Sequence, residues 1–228
     1  MESSKHIFVL VPSFNEGRVV HTTVTPLLEK GYTVVVIDDC STDNTFDELK
    51  NSGVHYLKHE VNLGQGAALQ TGIEYALENG AEYAVTFDAD GQHDYTEIPA
   101  LLQPVIEGKA DITMGSRFLR KEDIEQVPPM RKLVLKGAII VNGLLTGLWL
   151  TDAHNGFRAM NRKAMQCIYL RENRMAHASE ILSQVKLHKL RFQEVPVKIT
   201  YTDYSKVKGQ SSMNSVNILI DLLLKKIL

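Results

Sequence analysis

The sequence predicts an α/β fold in which a doubly wound, mostly parallel central sheet is flanked by helices. Two observations lead to this prediction. Four short apolar runs alternate with helix-like segments over the first 120 residues. Each run is continuously apolar and does not alternate with polar residues, which is typical of parallel strands covered on both faces. The repeated order of strand and helix favours a doubly wound arrangement.

The predicted elements of this part of the chain follow one another closely. The strands are residues 6–11, 33–38, 82–88 and 111–116, and the helices are residues 17–30, 42–51, 64–79 and 95–107. After Arg120 helical segments dominate until residues 191–203, which we interpret as one more strand. Pro196 lies within that strand, and because proline has no amide hydrogen to donate, it favours an edge position or a bulge.

Length and composition limit the choice of architecture and function. The 228 residues contain no Gly/Ser linker and no internal repeat, so we expect one domain over residues 1–228. Its two functional halves would be residues 6–120 and 121–228. The net charge of -2 argues against nucleic-acid binding. Cys40 and Cys167 have no metal-type spacing. We do not expect a structural disulfide between them, so a reducing, cytosolic setting fits better.

Two apolar segments raise the question of a membrane. Residues 133–150 approach the length of a membrane span, but Lys136 and Asn142 interrupt them. The C-terminal residues 216–228 are too short to span, yet they would form an amphipathic helix with Lys225 and Lys226 near anionic lipid. Both segments also fit helices that pack in the core. The N-terminal apolar run is too short for a signal peptide.

Polar sequences follow four of the predicted strands. They are PSFNE, DDCSTD, DADGQH and GSR, in chain order. In open α/β sheets, ligands bind beyond the carboxyl ends of the strands, and these ends lie along one edge. The sequence therefore predicts a binding site at this edge of the sheet.

The third of these sequences has the composition of a metal site. Asp88, Asp90 and Gln92 alternate, so in an extended stretch their three side-chain oxygens would face one point. Oxygen donors of this kind suit Mg²⁺ or Mn²⁺, and two carboxylates leave positions open for substrate phosphates. The alternative is a polar turn with Gly91 in a left-handed conformation.

Asp38 and Asp39 end the second predicted strand, where a carboxylate can bind a nucleotide base or ribose. The alternative is that they belong to the cap of the next helix, although Ser41 or Asp43 is enough for that purpose. The first strand is not followed by G-x-G-x-x-G, which disfavours a dinucleotide cofactor.

Six motifs in this order carry a resemblance to a known family: VPSFNE, VVVIDDCSTDNT, NLGQGAALQTG, FDADGQHD, MGSRF and DAHNGFRAMNR. Together they closely resemble family 2 glycosyltransferases, which have the GT-A fold with its Rossmann-like sheet. The match is to the dolichyl-phosphate mannose synthase-like branch, which loads a sugar onto a polyprenyl phosphate. It covers about residues 6–212. The branch often has lysine where this chain has Gln65, and arginine where it has Lys206.

The resemblance implies a role for each motif. Asp90 and Gln92 would ligate Mg²⁺ or Mn²⁺ between the two phosphates, and Asp88 would face both ribose and metal. Asn155–Arg158, the NGFR loop, would lie over the sugar end of the pocket. The nucleotide of a UDP- or GDP-hexose would be held by Pro12, Phe14, Asn15, Glu16, Ile37 and Asp39, and the acceptor phosphate by Ser116, Arg117, Arg131 and Lys206.

The implied reaction is a metal-dependent, inverting transfer of a hexose from a nucleoside diphosphate to an acceptor. A polyprenyl phosphate, dolichyl or undecaprenyl, is already anionic near pH 7 and needs no general base. If the acceptor is instead a sugar hydroxyl of a glycan, a carboxylate base is required, and Asp152 is the first candidate. Further alternatives are a nucleotidyltransferase and a non-catalytic nucleotide-binding subunit.

The implied lipid acceptor also predicts a location. We expect a cytoplasmic protein that is peripheral at the cytoplasmic face of the membrane. Attachment would be through residues 216–228, or through a membrane-bound or homo-oligomeric partner.

Overall fold

The computed structural model describes residues 6–126, 137, 139–140, 143–144, 147–152, 155–172 and 176–200. The described strands form one sheet in the order β3-β2-β1-β4-β6-β5-β7. These strands are β1 (Ile7–Ser13), β2 (Thr33–Asp38), β3 (His55–Lys58), β4 (Tyr83–Thr86), β5 (Ile112–Ser116), β6 (Arg158–Asn161) and β7 (Phe192–Pro196). The described helices are α1 (Val20–Glu29), α2 (Thr45–Leu49), α3 (Gln65–Glu78), α4 (Ile98–Ile106), α5 (Lys121–Gln126), α6 (Arg162–Cys167) and α7 (His177–Leu187).

The central strands are buried on both faces, as their continuous apolar sequences predict. β1 is buried along its whole length. Val9 and Val11 point into a cluster with residues of α1 and α4. Leu10 points to the opposite face, into a cluster with α3 and α7. Successive side chains of a strand thus supply two cores. The α/β prediction, with a mostly parallel sheet flanked by helices, is confirmed.

β6 is the exception to the parallel arrangement. It pairs antiparallel with β4 on one side and with β5 on the other, while the other pairings in the sheet are parallel. Its first residue, Arg158, is in register with Thr86 of β4 and Met114 of β5. The start of β6 therefore lies at the sheet edge where β4 and β5 end, which brings the NGFR loop to that edge.

Several predicted boundaries differ from the structure. β3 and β6 were not predicted as strands. The third predicted strand, residues 82–88, ends earlier, at Thr86. The last predicted strand, residues 191–203, is β7, which ends at Pro196. β7 is an edge strand of the sheet, as that proline predicted.

Other expectations have mixed outcomes. Cys40 and Cys167 are unpaired thiols. Within the described residues, no helix combines the length and apolar character that crossing a bilayer requires. Arg131, Lys206 and the predicted C-terminal helix of residues 216–228 lie outside the described residues.

Candidate active site

The carboxyl ends of β1, β2, β4 and β5 and the start of β6 meet at one edge of the sheet. Hydrogen bonds link the loops that follow them. The Asn15 amide donates to Ser41 Oγ at 2.8 Å, and Gln65 Nε2 donates to Asp88 Oδ1 at 3.1 Å. Arg117 Nε donates to Asp152 Oδ2 at 2.6 Å. Each of these hydrogen bonds thus joins two of the loops along this edge of the sheet.

The predicted metal loop is a turn and not an extended stretch. After β4 ends, Ala89 and Asp90 form the turn, and Gly91 has φ 75°. Asp90 Oδ1 accepts a hydrogen bond from the Gln92 amide at 3.0 Å, and its Oδ2 accepts one from the Gln92 side chain. The assumption of an extended backbone was therefore wrong, because a turn and not strand alternation brings the two carboxylates together.

Asp88 and Asp90 carry an electrostatic cost that a cation would relieve. Burial raises the pKa of Asp88, and the charges of Arg158 and Arg117 partly offset this shift. Burial also raises the pKa of Asp90, and the negative charge of Asp88 raises it further. Two carboxylates that disfavour each other's ionisation form a donor set suited to a divalent metal ion.

Two carboxylates alone do not complete a coordination sphere. Among the residues that the structure describes, no group of three or more histidine, cysteine, aspartate or glutamate side chains is placed to hold a metal ion. The predicted donors are two carboxylates and the amide of Gln92, so phosphate oxygens of a substrate would have to supply further ligands.

His93 contacts Asp88 of the predicted metal loop through both of its ring nitrogens. Its Nδ1 accepts a hydrogen bond from the Asp88 amide at 3.0 Å, and its Nε2 lies 3.4 Å from Asp88 Oδ2. The ring stacks on Phe157 with centroids 4.6 Å apart. Burial lowers the pKa of His93 to about 4, so the ring is neutral at pH 7. A neutral ring that accepts at Nδ1 carries its proton on Nε2, which faces the carboxylate.

Asp39, predicted to bind the nucleotide, is buried and already well bonded. Its Oδ1 accepts from the Leu63 amide at 2.9 Å and contacts His59 Nδ1 at 2.8 Å, and its Oδ2 accepts from the Gly64 amide at 2.6 Å. His59 Nε2 in turn lies 3.0 Å from Thr71 Oγ1. Asp39 therefore ties the end of β2 to the start of α3.

The other predicted nucleotide residues lie at the ends of β1 and β2. Pro12 and Ile37 are in register and buried, so their side chains face the core. Phe14 is 42% exposed beside them. Asn15 has φ 55°, and its Oδ1 accepts from the Thr42 amide at 2.8 Å. The Glu16 amide donates to Thr45 Oγ1 at 3.1 Å.

The predicted acceptor residues Ser116 and Arg117 are both buried. Ser116 Oγ lies 2.6 Å from Thr151 Oγ1. Asp152 Oδ2 accepts from both the Nε of Arg117 and its amide, at 2.6 and 3.2 Å. Glu194 of β7 accepts from the amides of Thr151 and Asp152, which fixes this pair in place.

Arg158 is a site residue that sequence reasoning placed only within a loop. Its side chain is 2% exposed, and it is attracted by Asp88 and Asp152. Gly156 precedes it, and a Cβ atom there would lie 3.1 Å from Asp88 Oδ2. The NGFR motif was the available signal, but it gives no hint of the burial. The role of Gln65 as a donor to Asp88 was missed as well.

The fold and the site define a class of nucleotide-sugar enzymes, and comparison with known proteins identifies it. The family model for glycosyl transferase family 2 matches residues 8–169. The chain therefore belongs to family 2 of the glycosyltransferases, hexosyltransferases with the GT-A fold.

Two curated relatives show where the chain lies within this family. It is 34% identical to the UDP-N-acetylglucosamine–dolichyl-phosphate N-acetylglucosaminyltransferase of Methanococcus voltae, over 98% of this chain and 97% of that one. It is 30% identical to the polyprenol monophosphomannose synthase of Mycolicibacterium smegmatis, over 94% of this chain and 83% of that one.

Solved structures share the fold. The chain is similar to glucosyl-3-phosphoglycerate synthase of Mycobacterium tuberculosis in complex with phosphoglyceric acid, with a TM-score of 0.71 and 18% identity over 97% of this chain and 81% of that one. Other structures of that enzyme contain UDP with Mn²⁺ or with Mg²⁺.

Proposed function

We propose that this protein transfers a hexose, with inversion, from a UDP- or GDP-sugar to a polyprenyl phosphate. The contact between Arg117 and Asp152 is the observation that carries the choice of acceptor. Two hydrogen bonds from Arg117 cover Oδ2 of Asp152, and the carboxylate is 2% exposed. Its other oxygen, Oδ1, has no hydrogen-bond partner among the described residues but is buried as well, so the carboxylate is badly placed to remove a proton from an incoming sugar hydroxyl. A phosphate acceptor needs no such base.

The donor half of the proposal depends on the metal loop. Asp88, Asp90 and Gln92 would hold Mg²⁺ or Mn²⁺. When bound, such an ion neutralises negative charge on the diphosphate leaving group. The residues of the chain bind and orient the substrates. Gln65 and His93 fix the Asp88 carboxylate, and Asp39 holds the loop beside the expected nucleotide.

The acceptor half depends on cations beside this loop. The charges of Arg117 and Arg158 both act on Asp88, so they lie close to the expected diphosphate. Arg117 would hold the anionic acceptor near the sugar, and its charge would reduce the repulsion between the two negative substrates. Arg131 and Lys206 would add to this group, as the family resemblance implies.

The curated relatives support the acceptor class and leave the sugar open. The names of both relatives specify polyprenol-type carriers, whereas one enzyme is named for N-acetylglucosamine and the other for mannose. A polyprenyl phosphate is therefore the proposed acceptor, and either sugar is a possible donor group.

The direct test uses radiolabelled UDP- and GDP-sugars with undecaprenyl or dolichyl phosphate, Mn²⁺ or Mg²⁺, and organic extraction. We expect label in the organic phase, release of a nucleoside diphosphate, and an inverted anomeric centre by NMR. Polyprenol without phosphate is the matched control and should accept no sugar. Efficient transfer to a glycan hydroxyl instead would reject the phosphate acceptor, and release of pyrophosphate would indicate a nucleotidyltransferase.

Meeting a lipid acceptor requires contact with the membrane surface. We propose that residues 216–228 attach the protein reversibly to the cytoplasmic face. Flotation with anionic vesicles, with and without these residues, tests this attachment. If the full-length and truncated proteins float equally, the anchor lies elsewhere, in a membrane-bound or homo-oligomeric partner.

A further inference from the structure

The guanidinium of Arg158 is a buried cation to which the reaction as described assigns no step. Its side chain is 2% exposed, and its Nε has no hydrogen-bond partner among the described residues. The backbone around it is firmly held, because its amide donates to Thr86 Oγ1 at 3.2 Å and β6 lies between β4 and β5. A charged group buried in this way needs opposite charges nearby.

Those opposite charges come from both halves of the site. The carboxylates of Asp88 and Asp152 both stabilise the charged form of Arg158 against the effect of burial, which lowers its pKa to about 10. Gly156 allows the chain that precedes Arg158 to approach Asp88, since a Cβ atom there would be 3.1 Å from its Oδ2. The charge of Arg158 therefore acts on both the metal-side carboxylate and the carboxylate that holds Arg117.

The balance of charge at this edge explains why a second buried arginine is useful. Asp88, Asp90 and Asp152 supply three carboxylates, and Arg117 has one of its hydrogen-bonding faces on Asp152. Without Arg158, only Arg117 and the bound metal ion would offset these three carboxylates, so the site would attract a divalent ion more strongly and an anion less strongly. An anionic acceptor must nevertheless come close to the anionic donor.

We propose that Arg158 is a positioning residue that offsets the carboxylates of the metal loop, so that an anionic phosphate acceptor can bind beside them. This inference rests on the proposed function, because it requires the acceptor to be a phosphate. It assigns Arg158 no contact with the substrates. Arg158 acts through its charge, by lowering the negative potential that Asp88 and Asp152 present to the acceptor.

The test compares two variants of Arg158 with a control arginine. Arg158→Met removes the charge and keeps the length of the side chain, and Arg158→Lys keeps the charge. The control is Arg162→Met, at the opposite end of β6, where the exposed Arg162 donates to the Ala81 carbonyl at 2.8 Å. For each protein, the KM for polyprenyl phosphate and the affinity for Mn²⁺ alone are measured, the latter by electron paramagnetic resonance.

Arg158→Met should change the two quantities in opposite directions. We expect the KM for polyprenyl phosphate to rise about tenfold or more, since one buried charge is removed near an anion. The affinity for Mn²⁺ should be unchanged or higher, because the site becomes more negative. Arg158→Lys and Arg162→Met should keep both quantities close to those of the wild type.

General damage to the fold would weaken the binding of both polyprenyl phosphate and Mn²⁺. Weaker Mn²⁺ binding by Arg158→Met therefore overturns the inference, and so does an unchanged KM for polyprenyl phosphate. If Arg158→Met does not fold, Arg158→Gln is measured against the same two outcomes. The wild-type protein alone tests the proposed function. If the wild type uses polyprenyl phosphate but the KM or Mn²⁺ affinity of the Arg158 variants does not change as expected, only the role of Arg158 is rejected.

Discussion

The protonation of His93 has a measurable consequence for stability. Burial lowers its pKa to about 4, whereas an unfolded histidine titrates near 6.5. As the pH falls through this window, the unfolded chain binds a proton that the folded chain does not, so stability decreases. His93→Phe keeps a ring to pack on Phe157 and lacks the proton. We expect its free energy of unfolding to fall less between pH 6.5 and 4, as urea denaturation would measure. Parallel pH dependences in the two proteins would contradict this explanation.

Asp90 is expected to lower stability while it supports function. Its pKa is raised by burial and by Asp88, so its charge is disfavoured in the folded protein at pH 7. Asp90→Asn should therefore raise the melting temperature of the metal-free protein by a few degrees. The same change should abolish Mn²⁺-dependent UDP binding in calorimetry, and UDP with excess chelator is the control. A lower melting temperature, or unchanged metal-dependent binding, would contradict the assignment.

Single residues of the site could be predicted where a motif names them. Asp88, Asp90 and Arg117 were expected at the strand ends, and they lie there in one cluster. The contributions of Arg158 and His93 could not be read in the same way. They depend on which residues β6 and the loop after β4 bring face to face, and neighbours in space leave no periodic pattern in the sequence.

Among the elements, the loop that precedes β6 approaches the carboxylate of Asp88 closely at Gly156. Gly156→Ala would place a methyl group 3.1 Å from Oδ2 and 3.2 Å from Oδ1 of that carboxylate, closer than the carboxylate can accept without moving. We expect UDP affinity in the presence of Mn²⁺ to fall about tenfold, corresponding to ~1.4 kcal/mol, with only a small change in melting temperature. Full affinity in this variant would mean that Asp88 can shift without cost and that its position is not critical.

The strands differ in how well their sequences predict them. β1 and β2 are long and continuously apolar, because both faces of each are covered. β3, with the sequence HYLK, is short and partly exposed at the sheet edge, so it lacks an apolar run. β6, with the sequence RAMN, is buried but short, and Arg158 at its start serves the site. The apolar pattern that predicts a strand is therefore weaker where the strand is short, lies at the edge of the sheet or contributes a residue to the site.

At the scale of the whole molecule, stability and chemistry lie at opposite ends of the sheet. Asp111, immediately before β5, accepts hydrogen bonds from the amide and guanidinium of Arg191, from Asn161 and from Lys163. The hydrogen bonds from Arg191 hold the pKa of Asp111 far below its usual range. This buried carboxylate thus joins β5, β6 and β7 at the end away from the site.

Asp111→Asn should lower the free energy of unfolding at pH 7 by about 1–3 kcal/mol, because hydrogen bonds to a charged group are lost. A carboxyl group whose pKa is lowered in the folded protein stabilises the fold at any pH above its ordinary pKa. This stabilisation is lost as the pH falls towards the pKa of the folded state. The difference from wild type should therefore shrink below about pH 4. Asp47→Asn breaks an exposed pair with Lys50 and is the control, with almost no effect expected. Loss of transferase activity in Asp111→Asn without loss of stability would refute this division.

The position of β6 between β4 and β5 also determines when the enzyme can become active during translation. The ribosome synthesises β5 before β6, which lies between β4 and β5 in the sheet. Until β6 has been made, β5 therefore cannot pair with it. We expect nascent chains to resist protease over β1–β4 early, and over β5 only after residue 161 has left the exit tunnel. Chains stalled at increasing lengths would measure this order. Catalytic competence would then arise later still, after the chain that carries Arg158 has entered the sheet and Glu194 of β7 has fixed Thr151 and Asp152.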